Sequence, residues 1–86
     1  KHIYISGRVQ GVGFRAFTRS QAAVLDIKGW VKNLHDGRVE VVIEGDKKKV
    51  TQMIKKLKEG PSFARVEDFE ISEEKLDGFN KFEIRF

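Results

Sequence analysis

The stretch Gly7-Arg8-Val9-Gln10-Gly11-Val12-Gly13-Phe14-Arg15 holds the residue types best suited to chemistry in this chain. Gly11 and Gly13 let a loop curl without Cβ clashes and turn successive N–H groups inward, as a nest for an anion. If a helix starts there, its first N–H groups lack intrahelical partners and its positive dipole end faces the loop. Arg15 adds a forked, permanently charged donor. Amides and guanidinium together can seat one phosphate or carboxylate. An Arg in a first helical turn opposes the dipole, and an anion at that spot would resolve the conflict.

Other readings of the same residues exist. The glycines could simply form a tight strand-to-helix turn, with Arg15 solvated. Gly11-Val12-Gly13-Phe14-Arg15-Ala16 also fits G-x-G-x-x-A, the dinucleotide fingerprint. That reading needs several parallel strands and an acidic residue about 20 positions on, where Asn33 and Asp36 lie on an apparent hairpin. A P-loop is excluded, because no Gly-Lys-Ser/Thr follows the glycines.

The flanking pattern sets the loop between a strand and a helix. Ile3, Tyr4 and Ile5 predict a first strand over 2–9, with Ile3 and Ile5 on one face. Phe14, Phe17, Ala22 and Leu25 predict a helix over 14–25. Its stop lacks the usual glycine, and Asp26 must serve. Residues 28–34 and 38–45 predict a hairpin about Asp36-Gly37. Val39, Val41 and Ile43 face one way, and Arg38, Glu40 and Glu44 the other. Asp46 caps a second helix over 47–59, whose Val50, Met53, Ile54 and Leu57 form an apolar stripe ending at Gly60-Pro61. A fourth strand is expected around 64–72, with a bulge or bend where its apolar parity shifts between Val66 and Phe69. Leu76-Asp77-Gly78 reads as a loop. Phe82, Ile84 and Phe86 alternate with Glu83 and Arg85 in a last edge strand.

The order β-α-β-β-α-β predicts an α+β, ferredoxin-like α/β sandwich. Two helices cover one face of an antiparallel sheet of order 4-1-3-2, with a short extra C-terminal strand. Topology then places Asn33. The first helix descends about 18 Å from the loop, and the second strand climbs back about 23 Å. Asn33 therefore returns to the rim that holds the loop. One strand lies between, so the two sites stand about 9–10 Å apart. A phosphoryl group and one water fit that gap. An uncharged amide suits holding water beside an anion, although an Asn before Asp-Gly is also an ordinary turn initiator.

Composition narrows the class. With 86 residues, the chain predicts one domain over 1–86. There is no cysteine, hence no disulfide framework and no thiolate nucleophile. His2 and His35 do not make a metal site of the usual spacing, and His35 is expected to be solvated. No apolar run could span a bilayer and no signal-peptide pattern is present, so a cytoplasmic protein is expected. Lys1 suggests that residues are trimmed or missing ahead of it. A net charge of +4 favours acidic ligands but is too mild to mark a nucleic-acid binder. Ferredoxin-like sheets can carry RNA on exposed aromatics, but the aromatic-rich RNA-binding signature is absent. The lysines at 47–49, 55, 56 and 58 read as a solvated helix face.

The glycine stretch, followed by Lys28-Gly29-Trp30-Val31-Lys32-Asn33 and then Asp36-Gly37, closely resembles the acylphosphatase family. Gly45-Asp46 and Gly60-Pro61 fall at similar breaks, so the resemblance covers nearly the whole chain. It implies a small, metal-independent hydrolase without cofactor. Such an enzyme cleaves the carboxyl-phosphate anhydride of acyl phosphates and releases a carboxylate and inorganic phosphate. The family's catalytic Arg matches Arg15 and its catalytic Asn matches Asn33. Its phosphate cradle matches the backbone of Gln10, Gly11, Val12, Gly13, Phe14 and Arg15. Asp26 stands where the family commonly has Gly, and His35 where Pro is frequent. The implied partner is a small acyl phosphate, with no nucleic acid and no membrane, and a monomer is expected. A non-catalytic domain of this type within a larger enzyme is the alternative. The length of the chain and the retained Arg15 and Asn33 favour a free-standing enzyme.

Overall fold

The computed structural model describes residues 1–75 and 78–86; within the expected loop at 76–78, residues 76 and 77 lie outside the described residues. The elements are β1 (His2–Arg8), α1 (Phe14–Leu25), β2 (Lys28–Asn33), β3 (Val39–Glu44), α2 (Lys47–Glu59), β4 (Arg65–Ser72) and β5 (Phe82–Arg85). Both helices keep the bounds that their apolar periodicity implied.

One sheet runs in the order β4-β1-β3-β2-β5. The first four strands pair antiparallel, as the topology required. β5 pairs parallel to β2, with Phe82 opposite Gly29 and Ile84 opposite Val31. The expected four-stranded antiparallel sheet is present, and the extra C-terminal strand joins it in parallel, so the whole sheet is mixed. The cause is the chain's path. β4 runs antiparallel to β1 and leaves the chain at the rim where β2 begins. β5 begins at that same rim, with Phe82 opposite Gly29, and so climbs beside β2 in the same direction.

The core lies between the sheet's inner face and the helices. Ile3, Ile5, Val31, Val39, Val41 and Ile43 supply the sheet side. Phe14, Ala22 and Leu25 descend from α1, and Val50, Met53 and Leu57 from α2. Ile54 is half-buried at the margin of its stripe. The Asp46 carboxylate caps α2 by accepting the Lys48 N–H at 3.2 Å. α1 ends on Asp26 at φ 55 and ψ 44, the left-handed conformation in which glycine is usual. Along β1 the register passes from Ser6 opposite Asp68 to Gly7 opposite Val66. Glu67 is thus the extra residue of a bulge in β4, inside the interval where the parity shift placed one.

Candidate active site

The two helix starts differ in a way that bears on function. α2 has its carboxylate cap, whereas α1 starts from Gly13 at φ 78 with no side-chain cap and no acidic residue in its first turn. Its leading N–H groups are left for another acceptor. Gly11 is also left-handed, at φ 72, and a Cβ at either glycine would meet nothing within 4 Å. Glycine is needed there for the backbone angle and for open access, not because neighbours crowd the position. Buried residues hold the loop from both sides. Val9 enters the core before it and Phe14 after it. The Thr18 hydroxyl donates to the Phe14 carbonyl at 2.8 Å and secures the first turn of α1.

Asn33 is the last residue of β2 and pairs with Val39. It shares the inner face with Gly29 and Val31 by strand alternation. It therefore stands on the rim where β1 gives way to the glycine loop. Gly11, Gly13 and Arg15 line one side of a cavity of about 210 Å³ that Asn33 also lines. Val9, Ile84 and Phe86 supply an apolar wall. The volume lies below the roughly 300 Å³ at which drug-sized pockets begin, so it suits a small ligand.

Two side chains in this cavity lack ordinary partners. Asn33 Oδ1 is buried with no hydrogen-bond partner among the described residues. Buried polar atoms are nearly always satisfied, so an orphaned acceptor beside a cavity marks a place for a ligand or a water. Arg15 enters none of the ion pairs among the described residues. Its guanidinium instead lies 4.9 Å from the centroid of the Phe86 ring. An uncompensated guanidinium, free helical N–H groups and an unfilled amide acceptor can together take an anion and a polar nucleophile.

Of the residues singled out in the sequence, Gly11, Gly13, Phe14, Arg15 and Asn33 meet at this cavity. Gln10 and Val12 do not line it. Val12 is half-buried against the core. Gln10 turns its side chain to the β2–β3 hairpin, where Nε2 donates to the Leu34 carbonyl at 2.7 Å and the Arg38 carbonyl at 2.9 Å. The loop is thereby tied to the residue that follows Asn33. Sequence reasoning missed that tie and also the wall from β5. The wall had a signal, since Phe82, Ile84 and Phe86 share a parity. Which strand they would join was not encoded locally.

Neither His2 nor His35 lines the cavity. His2 sits between Glu40 and Glu74 at the opposite rim, and His35 is exposed. Among the described residues, no group of three or more His, Cys, Asp or Glu could hold a metal ion. No helix among the described residues is long and apolar enough to cross a membrane. On the sheet's open face Tyr4 and Trp30 are already covered, by Arg38 at 4.7 Å and Arg85 at 4.8 Å. The lysines at 47–49, 55, 56 and 58 are all exposed.

Comparison with known proteins points one way. The acylphosphatase family model matches residues 1–84. An acylphosphatase of Syntrophobacter fumaroxidans is 51% identical over 86 residues, covering 99% of this chain and 89% of that protein. One from Methanocella arvoryzae is 45% identical over 83 residues, covering 96% of this chain and 94% of that protein. The crystal structure of acylphosphatase from Bacillus subtilis superposes with a TM-score of 0.95 at 38% identity, over 99% of this chain and 96% of that one.

Proposed function

The chain belongs to the acylphosphatase family, and from that premise we propose how its own residues carry out the hydrolysis of acyl phosphates. The phosphoryl group sits in the glycine loop. Backbone N–H groups between Gln10 and Arg15 take its oxygens, and the Arg15 guanidinium adds two charge-assisted bonds. Asn33 Oδ1 accepts a hydrogen bond from a water and aims it along the line opposite the acyl oxygen. The observation that carries this reading is the orphaned Oδ1, buried in the cavity that Arg15 lines.

The chemistry asks little more of the protein. The water oxygen forms a bond to phosphorus while the bond from phosphorus to the acyl oxygen breaks. The carboxylate leaves with the electron pair, and it is a good leaving group. One water proton passes to a phosphoryl oxygen, so no His, Asp or Glu is required as base. Charge spread over the equatorial oxygens is held by amides and guanidinium. Holding water and phosphoryl group at attacking distance supplies much of the remaining acceleration. We take the protein as a cytoplasmic monomer, one domain over residues 1–86, that uses no metal, cofactor, nucleic acid or membrane. The covered rings of the open sheet face support the absence of nucleic-acid stacking.

Release of phosphate from benzoyl phosphate tests the reading. Arg15→Ala should lower kcat/KM by at least about 10³-fold, with affinity and turnover both reduced. A chelator should leave the wild-type rate unchanged. Inhibition by chelator, or an Arg15→Ala enzyme with wild-type kinetics, contradicts the proposal.

A further inference from the structure

We infer that Phe86, backed by Ile84, forms the subsite for the substrate's acyl group and gives the enzyme a preference for apolar, aromatic acyl phosphates. The inference rests on the phosphate seat proposed above and names what lies beyond it.

Its basis is the parallel pairing of β5. Phe82 pairs with Gly29, Ile84 with Val31 and Arg85 with Lys32. Continuing that register by one residue sets Phe86 beside Asn33, on the same inner face. Ile84 and Phe86 therefore line the cavity from the side opposite the glycine loop. If the phosphoryl group lies against the loop and Arg15, with water on Asn33, the acyl group must leave the cavity past the remaining wall. That wall is Val9, Phe14, Ala16, Ile84 and Phe86, which carries no charged or hydrogen-bonding side chain.

Phe86 is 99% exposed, and among the described residues its ring is met only by the Arg15 guanidinium. An exposed aromatic at the mouth of an anion site gains by stacking on a ligand. A benzoyl ring offers an offset-stacked or edge-to-face partner, whereas an acetyl group offers one methyl. An ammonium on the acyl chain would meet the Arg15 guanidinium beside that ring and be repelled.

The test is the ratio of kcat/KM for benzoyl phosphate to that for acetyl phosphate. Phe86→Ala should lower this ratio about five- to tenfold, and Phe86→Tyr should restore it. Phe63→Ala removes another exposed ring, one that does not line the cavity, and should leave the ratio at its wild-type value. An equal loss for both substrates means that Phe86 acts only by steadying Arg15 and overturns the subsite. An unchanged ratio with active enzyme also overturns it. Failure of the wild type to hydrolyse either substrate overturns the phosphate seat and the subsite together.

Discussion

Gln10 Nε2 donates to the Leu34 carbonyl at 2.7 Å, which locks the start of the glycine loop to the residue next to Asn33. The same nitrogen reaches the Arg38 carbonyl at 2.9 Å, across the mouth of the hairpin. One side chain thus ties the proposed phosphate seat to the strand end that carries Asn33, the amide proposed to aim the water.

Gln10→Leu keeps much of the bulk and removes the donor. Both carbonyls retain a backbone partner, since Leu34 O accepts from Gly37 N and Arg38 O from Leu34 N. The loss of stability should therefore stay near about 1 kcal/mol. Turnover should fall about tenfold or more, because small displacements of a positioning group are costly. In an Asn33→Ala background the same change should add little, since the group it positions is gone. Fully additive losses in the double-mutant cycle would contradict the positioning role.

Asp26 is the one described non-glycine residue with positive φ. Its carboxylate is held below the usual range, first by the hydrogen bond from Lys28 and then by that residue's charge. That pair is exposed and adds little to stability. Asp26→Gly removes the left-handed strain and should stabilise the fold by about 0.5–1 kcal/mol, a rise of several degrees in Tm. Thermal melts check this, and a lowered Tm would show that the ion pair outweighs the strain.

His2 gives the fold a pH dependence. Burial pulls its pKa down, but hydrogen bonds and charge from Glu74 and Glu40 outweigh that effect and hold it above 6.5. Glu40 also accepts from the Tyr4 hydroxyl at 3.2 Å. The folded state therefore favours the imidazolium. Its contribution is complete below the unfolded value of 6.5 and is lost as pH rises through the raised folded value. Urea melts should show wild type more stable relative to His2→Gln at about pH 5.5 than at about pH 8.5. A difference that is constant with pH would show that the bridge carries no charge linkage.

The sequence exposed the parts of this protein that are written locally. The stripe of Val50, Met53 and Leu57 marked α2, and the alternation of Val39, Val41 and Ile43 marked β3. Asn33 could be placed near Arg15 because two element lengths and one crossover fix which rim each strand end reaches. The partner of β5 was hidden, because alternation fixes a strand's faces and not its neighbour. The strand's direction followed from the rim at which β4 ends and β5 begins. The Gln10 tie was hidden for a related reason, since its acceptors are backbone carbonyls 24 and 28 positions away and leave no mark in residue type.

The most direct test of the site is Asn33→Ala, read by two quantities in one preparation: kcat with benzoyl phosphate and the inhibition constant of inorganic phosphate. If Asn33 aims the water as proposed, its loss should lower kcat at least about 100-fold. Phosphate inhibition should stay within about threefold, because the glycine loop and Arg15 remain. Wild-type kcat in this variant, or a phosphate constant weakened as much as kcat, would contradict the division of labour between Asn33 and Arg15.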